Sequence, residues 1–216
     1  MKGTHQVTHE FDRNYWEQHW EQAPGSAPDA GSGRAPNPYL VSETGGLARG
    51  TALDAGCGEG AEAIWLASRG WRVTAADISS EALTRAAGGA PEDKAALVQW
   101  VQADLSVWDP GTPFDLVTTS YAHPAMPQLE FYDRISGWVA PGGTLLVVGH
   151  LHTPGATGHG HHPPAEASVG LADITARLDG TLWEIVTAEE HTRTVTGPQG
   201  QANSLHDVVV RAARRP

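Results

Sequence analysis

The sequence predicts an α/β fold in which helices cover both faces of a mostly parallel sheet. Short apolar segments recur along the chain, as expected for buried parallel strands, and several of them end in an acidic residue. A glycine-rich turn at 56–60 joins the first of these segments to a helical segment. With 216 residues, 40% of them hydrophobic, the chain has the size of a single domain, which is taken as 1–216.

The glycine-rich turn follows a short apolar strand and precedes a helix predicted to begin at about 59–61 and to end near Arg69. Its three glycines lack a Cβ atom, so the backbone can turn sharply and approach a ligand closely. The free N–H groups of the following helix face the turn. Asp54, at the end of the strand, adds a carboxylate that suits a cation. Cys57 is interpreted as a small residue that fills the turn.

Two classes of ligand suit this turn. Gly56-x-Gly58-x-x-Ala61 matches the loose form of the dinucleotide fingerprint. Asp54-x-Gly56-x-Gly58-x-Gly60 resembles the motif of class I S-adenosylmethionine (SAM)-dependent methyltransferases. The strands that follow are needed to choose between the two.

Two further strands end in carboxylates. The segment 71–76 leads to Asp77, which can accept both ribose hydroxyls of either ligand, and 98–103 leads to Asp104. Asp104 resembles the methyltransferase position that accepts a hydrogen bond from the adenine amino group, a position that a dinucleotide fold does not require. The third strand therefore favours the methyltransferase resemblance.

The resemblance continues through the next two strands. The segment 114–119 reads as a fourth strand, and Pro141-Gly142-Gly143 resembles the turn that leads into the fifth strand of methyltransferases. Five matches occur in the family's order over residues 50–150. The resemblance implies a Rossmann-like three-layer sandwich with a seven-stranded sheet, strand order 3-2-1-4-5-7-6 and one antiparallel strand.

SAM is the cofactor that the resemblance implies, and S-adenosylhomocysteine (SAH) is the product. The residues expected around it lie in the glycine turn and after the first four strands: Asp54, Ala55, Gly56, Cys57, Gly58, Gly60, Asp77, Ile78, Asp104, Leu105 and Ser120. Tyr15 and Arg34 join this set, because each has a polar tip that can reach the methionine carboxylate.

Residues 1–48 are expected to form a helical lid over the ligand site, as the N-terminal segment does in methyltransferases of this kind. Residues 1–10 are predicted to be disordered, 11–21 to form a short amphipathic helix, 22–38 a loop, and Pro38 to about Ala48 a second helix. Trp16 and Trp20 are interpreted as packing against the sheet edge, since aromatic stripes on helices usually belong to the core.

The remaining elements of the core, 49–216, follow from caps and periodicity. Ser79 or Ser80 caps a helix over 82–87 that Gly88-Gly89 ends, and Pro127 opens the next helix. A last helix is predicted over 171–178. The segments 181–195 and 204–212 are predicted to form an antiparallel hairpin.

Three segments should emerge beside the cofactor at the carboxyl ends of the strands: the lid, the segment after the fourth strand, and the His-rich segment 150–169. His123 and His150 are the candidate proton acceptors, and Tyr121 is the candidate orienting hydroxyl. The histidines of 150–162 could hold zinc, copper or nickel. A polar lid over the acceptor is favoured over a metal site, because the Gly and Pro residues indicate a flexible loop that is costly to order.

Within the superfamily, three features resemble small bacterial methyltransferases of the tellurite-resistance and thiopurine type: Tyr15-Trp16-x-x-x-Trp20, Pro36-Asn37-Pro38, and 54–61. Those enzymes act on small thiol, heterocyclic or metalloid acceptors. The His-rich segment departs from this branch.

The composition of the chain disfavours nucleic-acid binding and a membrane-spanning function. A net charge of -11 disfavours a nucleic-acid surface, no apolar run is long enough to cross a bilayer, and a single cysteine fits a reducing cytoplasm. The expected function is methyl transfer to an N, O or S atom of a small-molecule acceptor, by a monomer or homodimer. Two alternatives stay open: a nicotinamide-dependent oxidoreductase, and a non-catalytic module that binds an adenosyl ligand or a metal.

Overall fold

The structure is a computed structural model that describes residues 11–23, 35–151, 167–196 and 202–216. The predicted disorder of 1–10, most of the loop 22–38 with Arg34, and the histidines from His152 to His162 lie outside these ranges. Within the described ranges, none of the helices is long and apolar enough to cross a membrane.

The described elements alternate between helices and strands in the first half of the chain and end in a long hairpin. The helices are α1 (Arg13–Gln22), α2 (Pro38–Thr44), α3 (Ala61–Ser68), α4 (Ser80–Gly89), α5 (Glu92–Ala95), α6 (Gln128–Ser136) and α7 (Leu171–Thr175). The strands are β1 (Thr51–Ala55), β2 (Arg72–Asp77), β3 (Val98–Gln102), β4 (Phe114–Ser120), β5 (Val139–Leu151), β6 (Ser168–Val169), β7 (Trp183–Thr196) and β8 (Ala202–Arg214).

One sheet contains all of these strands, in the order β3-β2-β1-β4-β5-β8-β7, with β6 paired beside the end of β5. The pairings from β3 through β5 are parallel, and β8 is antiparallel to both β5 and β7. If the two-residue strand β6 is left out, this is the predicted order 3-2-1-4-5-7-6 with one reversed strand. The fold class is therefore confirmed, and β6 is an addition that the sequence analysis missed.

The Pro141-Gly142-Gly143 segment differs from its prediction as a turn before the fifth strand. It lies inside β5, where pairing with β4 skips from Phe114–Val139 to Leu116–Thr144. Gly142 has φ of 78°, and a Cβ on Gly143 would lie 2.9–3.0 Å from three backbone oxygens. The segment is thus a bulge in a continuous strand, and its glycines allow the backbones to approach there.

Helix ends also differ from the predictions. The Ser79 hydroxyl accepts from the Ala82 amide and caps α4, as one of the two predicted caps, but the helix continues through Gly88 and Gly89. It stops before Pro91, because the residue that precedes a proline is disfavoured in the helical region. Helices α2 and α7 are shorter than predicted.

The core has two parts, one on each face of the sheet. Phe131 and Ile135 of α6 pack with one face, and Leu40 of α2 with Leu66 of α3 packs with the other. Because helices cover both faces, the strands β1 and β4 are almost fully buried, and the open edge at their carboxyl ends is where a ligand can enter.

Candidate functional site

A cavity of about 570 Å³ lies at the carboxyl ends of the central strands. The described residues that line it come from α1 and the segment before α2, the glycine turn and the start of α3, the ends of β2, β3 and β4, and one side chain of β7: Phe11, Trp16, Trp20, Ala35, Pro36, Asn37, Pro38, Gly56, Cys57, Gly58, Glu59, Ala61, Glu62, Asp77, Ile78, Ala103, Asp104, Leu105, Ser120, Tyr121, Ala122, His123, Pro124 and Arg193.

The glycine turn contributes two of its three glycines to the cavity wall. Gly56 and Gly58 have positive φ angles of 82° and 50°, and a Cβ on Gly58 would come within 3.0 Å of the Trp20 indole. Gly60 faces away from the cavity, since a Cβ there would meet Trp100 at 2.5 Å. Gly60 therefore serves the packing of α3, and Gly56 and Gly58 form the surface that a ligand would meet.

Asp77 lies at the end of β2, on the cavity wall, with both carboxylate oxygens engaged. Its Oδ2 accepts from the Gly58 amide at 2.8 Å, and its Oδ1 accepts from the Ser79 amide at 2.9 Å. Burial raises its pKa, although these backbone hydrogen bonds act in the opposite direction. Each oxygen has a second lone pair, so the carboxylate can still accept from hydroxyl groups of a ligand. Ile78 follows it on the wall.

Asp104 and Leu105 follow β3 and also line the cavity. The Oδ1 atom of Asp104 accepts from the amide and the hydroxyl of Ser106, at 2.9 and 2.6 Å. These bonds hold the carboxylate in one orientation and leave Oδ2 to bind a donor. Asp77 and Asp104 are thus brought to one cavity, as the sequence predicts.

Asp54 and Ala55 are fully packed under the glycine turn and do not line the cavity. The Oδ2 atom of Asp54 has no hydrogen-bond partner among the described residues. Burial, together with the charges of Glu62 and Asp77, raises the pKa of Asp54 well above its usual range. Glu62 does line the cavity and accepts from the Asn37 amide at 3.0 Å, a role that the sequence analysis missed.

Helix α1 covers the cavity, and its two tryptophans differ from the core packing that was predicted for them. Trp16 and Trp20 are half-buried and line the cavity, with the Trp16 indole N–H donating to the His123 carbonyl at 3.1 Å. Glu17, on the same helix, accepts from Ser79 and Ser80 at the start of α4. Helix α1 is therefore attached on two sides.

Tyr15 has no surface on the cavity. Its ring packs edge-on against Phe11 at 5.3 Å and against Trp16 at 5.1 Å. In the structure it supports two residues that do line the wall.

The segment after β4 supplies a second group of polar side chains. Ser120, Tyr121 and His123 line the cavity, whereas His150 lies behind them, stacked on Tyr121 at 4.6 Å and on His123 at 5.4 Å. Tyr121 has φ of 56°, which is unusual for a bulky side chain. Burial lowers the pKa of His123, and burial with the nearby His123 lowers that of His150 to about 4. Both imidazoles are consequently neutral at physiological pH.

Comparison with known proteins adds to this geometry. A family described as a methyltransferase domain matches residues 52–143. An uncharacterized methyltransferase of Mycobacterium tuberculosis is 33% identical over 161 residues, which cover 72% of each chain. The chain belongs to the class I SAM-dependent methyltransferase superfamily.

Two further methyltransferases are similar to the chain. Trans-aconitate 2-methyltransferase of Azoarcus sp. is 33% identical over 101 residues, which cover 45% of this chain and 38% of that protein. Magnesium protoporphyrin IX methyltransferase from Synechocystis, solved with SAH bound, superimposes with a TM-score of 0.58 at 22% identity, covering 81% of this chain and 78% of that one. The assignment to the tellurite-resistance and thiopurine branch stays a prediction.

Besides Glu62, the sequence analysis missed Arg193, which lines the cavity. It also missed three residues that contact this group from behind: Gln128 contacts His123, Asp207 accepts from Arg193, and Tyr39 donates to Asp207. Asp207 immediately precedes the apolar run Val208–Val210, but only the structure shows that its side chain is fully buried. A charged residue is rarely fully buried unless it is paired. Gln128 is also buried, but nothing in its sequence neighbourhood distinguishes it from a helix-surface glutamine.

Among the described ranges, no group of three or more His, Cys, Asp and Glu side chains could hold a metal ion. The part of the His-rich segment that carries His152, His159, His161 and His162 lies outside those ranges, so the lid and metal hypotheses for it stay predictions. The thiol of Cys57 is buried, and burial raises its pKa well above the usual range. A thiol in that state is a poor nucleophile, in agreement with its interpretation as a packing residue.

Proposed function

We propose that this methyltransferase transfers a methyl group from SAM to an N, O or S atom of a small-molecule acceptor. The observation that supports this most is that the glycine turn, the carboxylates of Asp77 and Asp104 and the imidazole of His123 line one cavity. Superfamily membership favours SAM over the dinucleotide that the glycine turn also suits. A cytoplasmic location stays a prediction of the sequence.

The residues on the cavity wall fit SAM chemically. Gly56 and Gly58 leave room for a ligand to approach the backbone, and a Cβ on either would be crowded. The carboxylates of Asp77 and Asp104 suit the ribose hydroxyls and the adenine amino group, and Ile78 and Leu105 offer apolar surface beside them. The carboxylates of Glu62 and Asp77 line the cavity at the turn, and their negative charge complements a cationic cofactor.

When bound, SAM supplies a methyl group on a positively charged sulfur, which keeps the bonding electron pair as the methyl carbon joins the acceptor. The protein's main task is then to position the acceptor in line and to exclude water. Helix α1 covers the cavity and is suited to exclude water, through Trp16 and Trp20. If the accepting atom carries a proton, the neutral imidazole of His123 can take it, because it lines the cavity. Tyr121 then orients the acceptor, and His150 supports both of them from behind.

The size of the cavity supports a small acceptor. Its 570 Å³ must hold the adenosyl cofactor and the acceptor together. Phe11, Trp16, Trp20 and Tyr121 give the wall several aromatic surfaces. The net charge of -11 also disfavours a nucleic-acid acceptor.

Calorimetric titration with SAH tests the proposal. SAH is expected to bind at micromolar concentration and to quench the fluorescence of the tryptophans, because Trp16 and Trp20 line the cavity. NADH titrated under the same conditions is the control for the dinucleotide alternative. A folded protein that binds NADH but shows no heat with millimolar SAH would exclude the proposed cofactor.

A further inference from the structure

Arg193 is the only Lys or Arg among the described residues that line the cavity. It comes from β7, outside the strands that carry the cofactor carboxylates, and it reaches the wall beside Tyr121. The remaining charged residues on the described wall are acidic: Glu59, Glu62, Asp77 and Asp104. A single guanidinium on an otherwise acidic wall requires an explanation.

Three contacts hold the guanidinium in one orientation. Its Nε donates to Oδ2 of Asp207, and its Nη2 donates to the Tyr121 hydroxyl at 3.0 Å. The central guanidinium carbon, Cζ, lies 5.6 Å from the centre of the Tyr121 ring. Tyr39 also donates to the same oxygen of Asp207, at 3.3 Å. Because Asp207 is fully buried, the acid is fixed in turn by the sheet. The arginine is therefore placed with little rotational freedom left to lose on binding.

One edge of the guanidinium remains for a ligand. Its Nη1 makes no hydrogen bond to any described residue, and about a third of the side chain, 34%, is exposed. The neighbouring imidazoles, His123 and His150, have lowered pKa values and are neutral, so they offer no competing positive charge. An anion that enters this part of the cavity meets one positive charge, at Arg193.

We infer that Arg193 binds a carboxylate group of the methyl acceptor, which makes the substrate class a small carboxylate anion. Guanidinium groups bind carboxylates through charge-assisted, often paired hydrogen bonds, and a fixed guanidinium does so with geometric selectivity. Arg193 donates to the Tyr121 hydroxyl, and Arg193, Tyr121 and His123 line the same cavity, so an acceptor anchored at Arg193 shares that cavity with the imidazole. The inference rests on the proposed function, since it assigns the acceptor of the same reaction.

The test measures binding, with the cofactor product present. The SAH-saturated protein is titrated with benzoate and with trans-aconitate, and benzamide serves as the uncharged counterpart of benzoate. Wild type is expected to bind at least one of the carboxylates and to prefer benzoate to benzamide by about tenfold, as a charge-assisted pair predicts. Arg193→Gln should abolish the preference, Arg193→Lys should retain part of it, and both should bind SAH within about twofold of wild type.

Two control variants separate this role from a structural one. Arg177→Gln removes an exposed arginine that pairs with Asp133 at the surface, and it should change neither ligand's affinity. Arg193→Gln strands the buried carboxylate of Asp207, which could unfold the chain. The double variant Arg193→Gln/Asp207→Asn leaves the buried position uncharged and should fold while still lacking the preference for carboxylates.

Three results would overturn the inference. One is that none of the carboxylates binds the SAH-loaded wild type, or that benzoate binds no better than benzamide. Another is that the double variant keeps the preference. The third is that Arg193→Lys and the double variant weaken SAH itself by tenfold or more, which would assign Arg193 to the methionine carboxylate of the cofactor. Failure of SAH to bind wild type is a separate result that would refute the proposed function.

Discussion

The Oε1 atom of Gln128 lies 3.1 Å from Nδ1 of His123, and this contact decides which ring nitrogen carries the proton. The Gln128 amide has a defined orientation, because its Nε2 donates to the Ala122 carbonyl at 2.9 Å. Its oxygen can only accept, so Nδ1 of the neutral imidazole must be the donor. The lone pair of His123 is then on Nε2, which is the nitrogen left for an acceptor's proton.

Replacing Gln128 by Leu should therefore change the tautomer of His123. The substitution removes the amide oxygen, and the proton is expected to distribute between Nδ1 and Nε2. Two-dimensional ¹⁵N–¹H spectra of histidine-labelled protein report this directly and require no acceptor. With a methyl acceptor, we expect turnover to fall by about 10- to 100-fold, less than the roughly 100- to 10,000-fold contribution of a general base, because part of the His123 population keeps the lone pair on Nε2.

The matched control for this variant is Gln102→Leu. Gln102 is an exposed glutamine that donates to the Ile78 carbonyl and does not contact His123. The Gln102→Leu substitution should leave the His123 signals unchanged. Spectra of the Gln128 variant that show a pure Nδ1–H tautomer would contradict the assignment.

Asp77→Asn should weaken the binding of SAH. The change keeps the shape of the side chain but converts one oxygen into a donor that faces the Gly58 or Ser79 amide, and it removes the charge. We expect a loss of about 1–3 kcal/mol in binding free energy, as for hydrogen bonds to a charged group. Calorimetry measures it, with the exposed Asp133→Asn as the control. Equal affinities for the two variants would show that Asp77 does not hold the ribose.

Glu17→Gln should loosen helix α1 and the cover that it forms over the cavity. Burial alone would raise the pKa of Glu17, but its hydrogen bonds to Ser79, Ser80 and Glu81 outweigh this and lower it to about 2. A carboxylate at the N-terminus of α4 also interacts favourably with the helix dipole. The variant should lose about 1 kcal/mol of stability, a typical value for a helix cap.

The stabilisation by the Glu17 carboxylate should depend on pH. The folded pKa lies below the ordinary value of 4.5, so the carboxylate stabilises the protein above that pH and the effect disappears as the pH falls toward 2. Urea unfolding of wild type and Glu17→Gln should therefore differ at pH 7 and converge in acid. Glu21→Gln, an exposed position on the same helix, is the control. A constant difference from pH 7 to 3 would mean that the charge is not responsible.

The meeting of Asp77 and Asp104 at one cavity could be predicted, because each residue follows its own strand in chain order. Parallel strands end at one edge of a sheet, so an acid after β2 and an acid after β3 must meet there, as Asp77 and Asp104 do. The distinction within the glycine turn, where Gly60 serves packing, depends on Trp100, whose position no local pattern specifies.

The positions of Arg193 and Asp207 could not be predicted in this way. Arg193 and Asp207 belong to a hairpin whose register places Arg193 opposite Leu205 and His191 opposite Asp207. A shift of one residue would turn each side chain to the other face of the sheet. The sequence predicts the hairpin but not its register, and so it does not predict that Arg193 reaches the cavity.

Asp54→Asn should alter how the stability of the ligand-free protein depends on pH. The pKa of Asp54 in the folded chain lies well above its ordinary value of 3.8, because of burial and the charges of Glu62 and Asp77. As the pH rises from about 4, the unfolded chain releases this proton while the folded chain keeps it, so the free energy of unfolding falls. The fall continues up to the folded pKa.

An asparagine at position 54 has no proton to release. The part of the decrease in unfolding free energy that Asp54 causes should therefore disappear. Part of the slope will remain, because burial also raises the pKa of Asp77. Urea unfolding measured from pH 4 to 8 should give a flatter profile for Asp54→Asn than for wild type and for Asp93→Asn, an exposed control. Parallel profiles would mean that Asp54 is ionised in the folded chain.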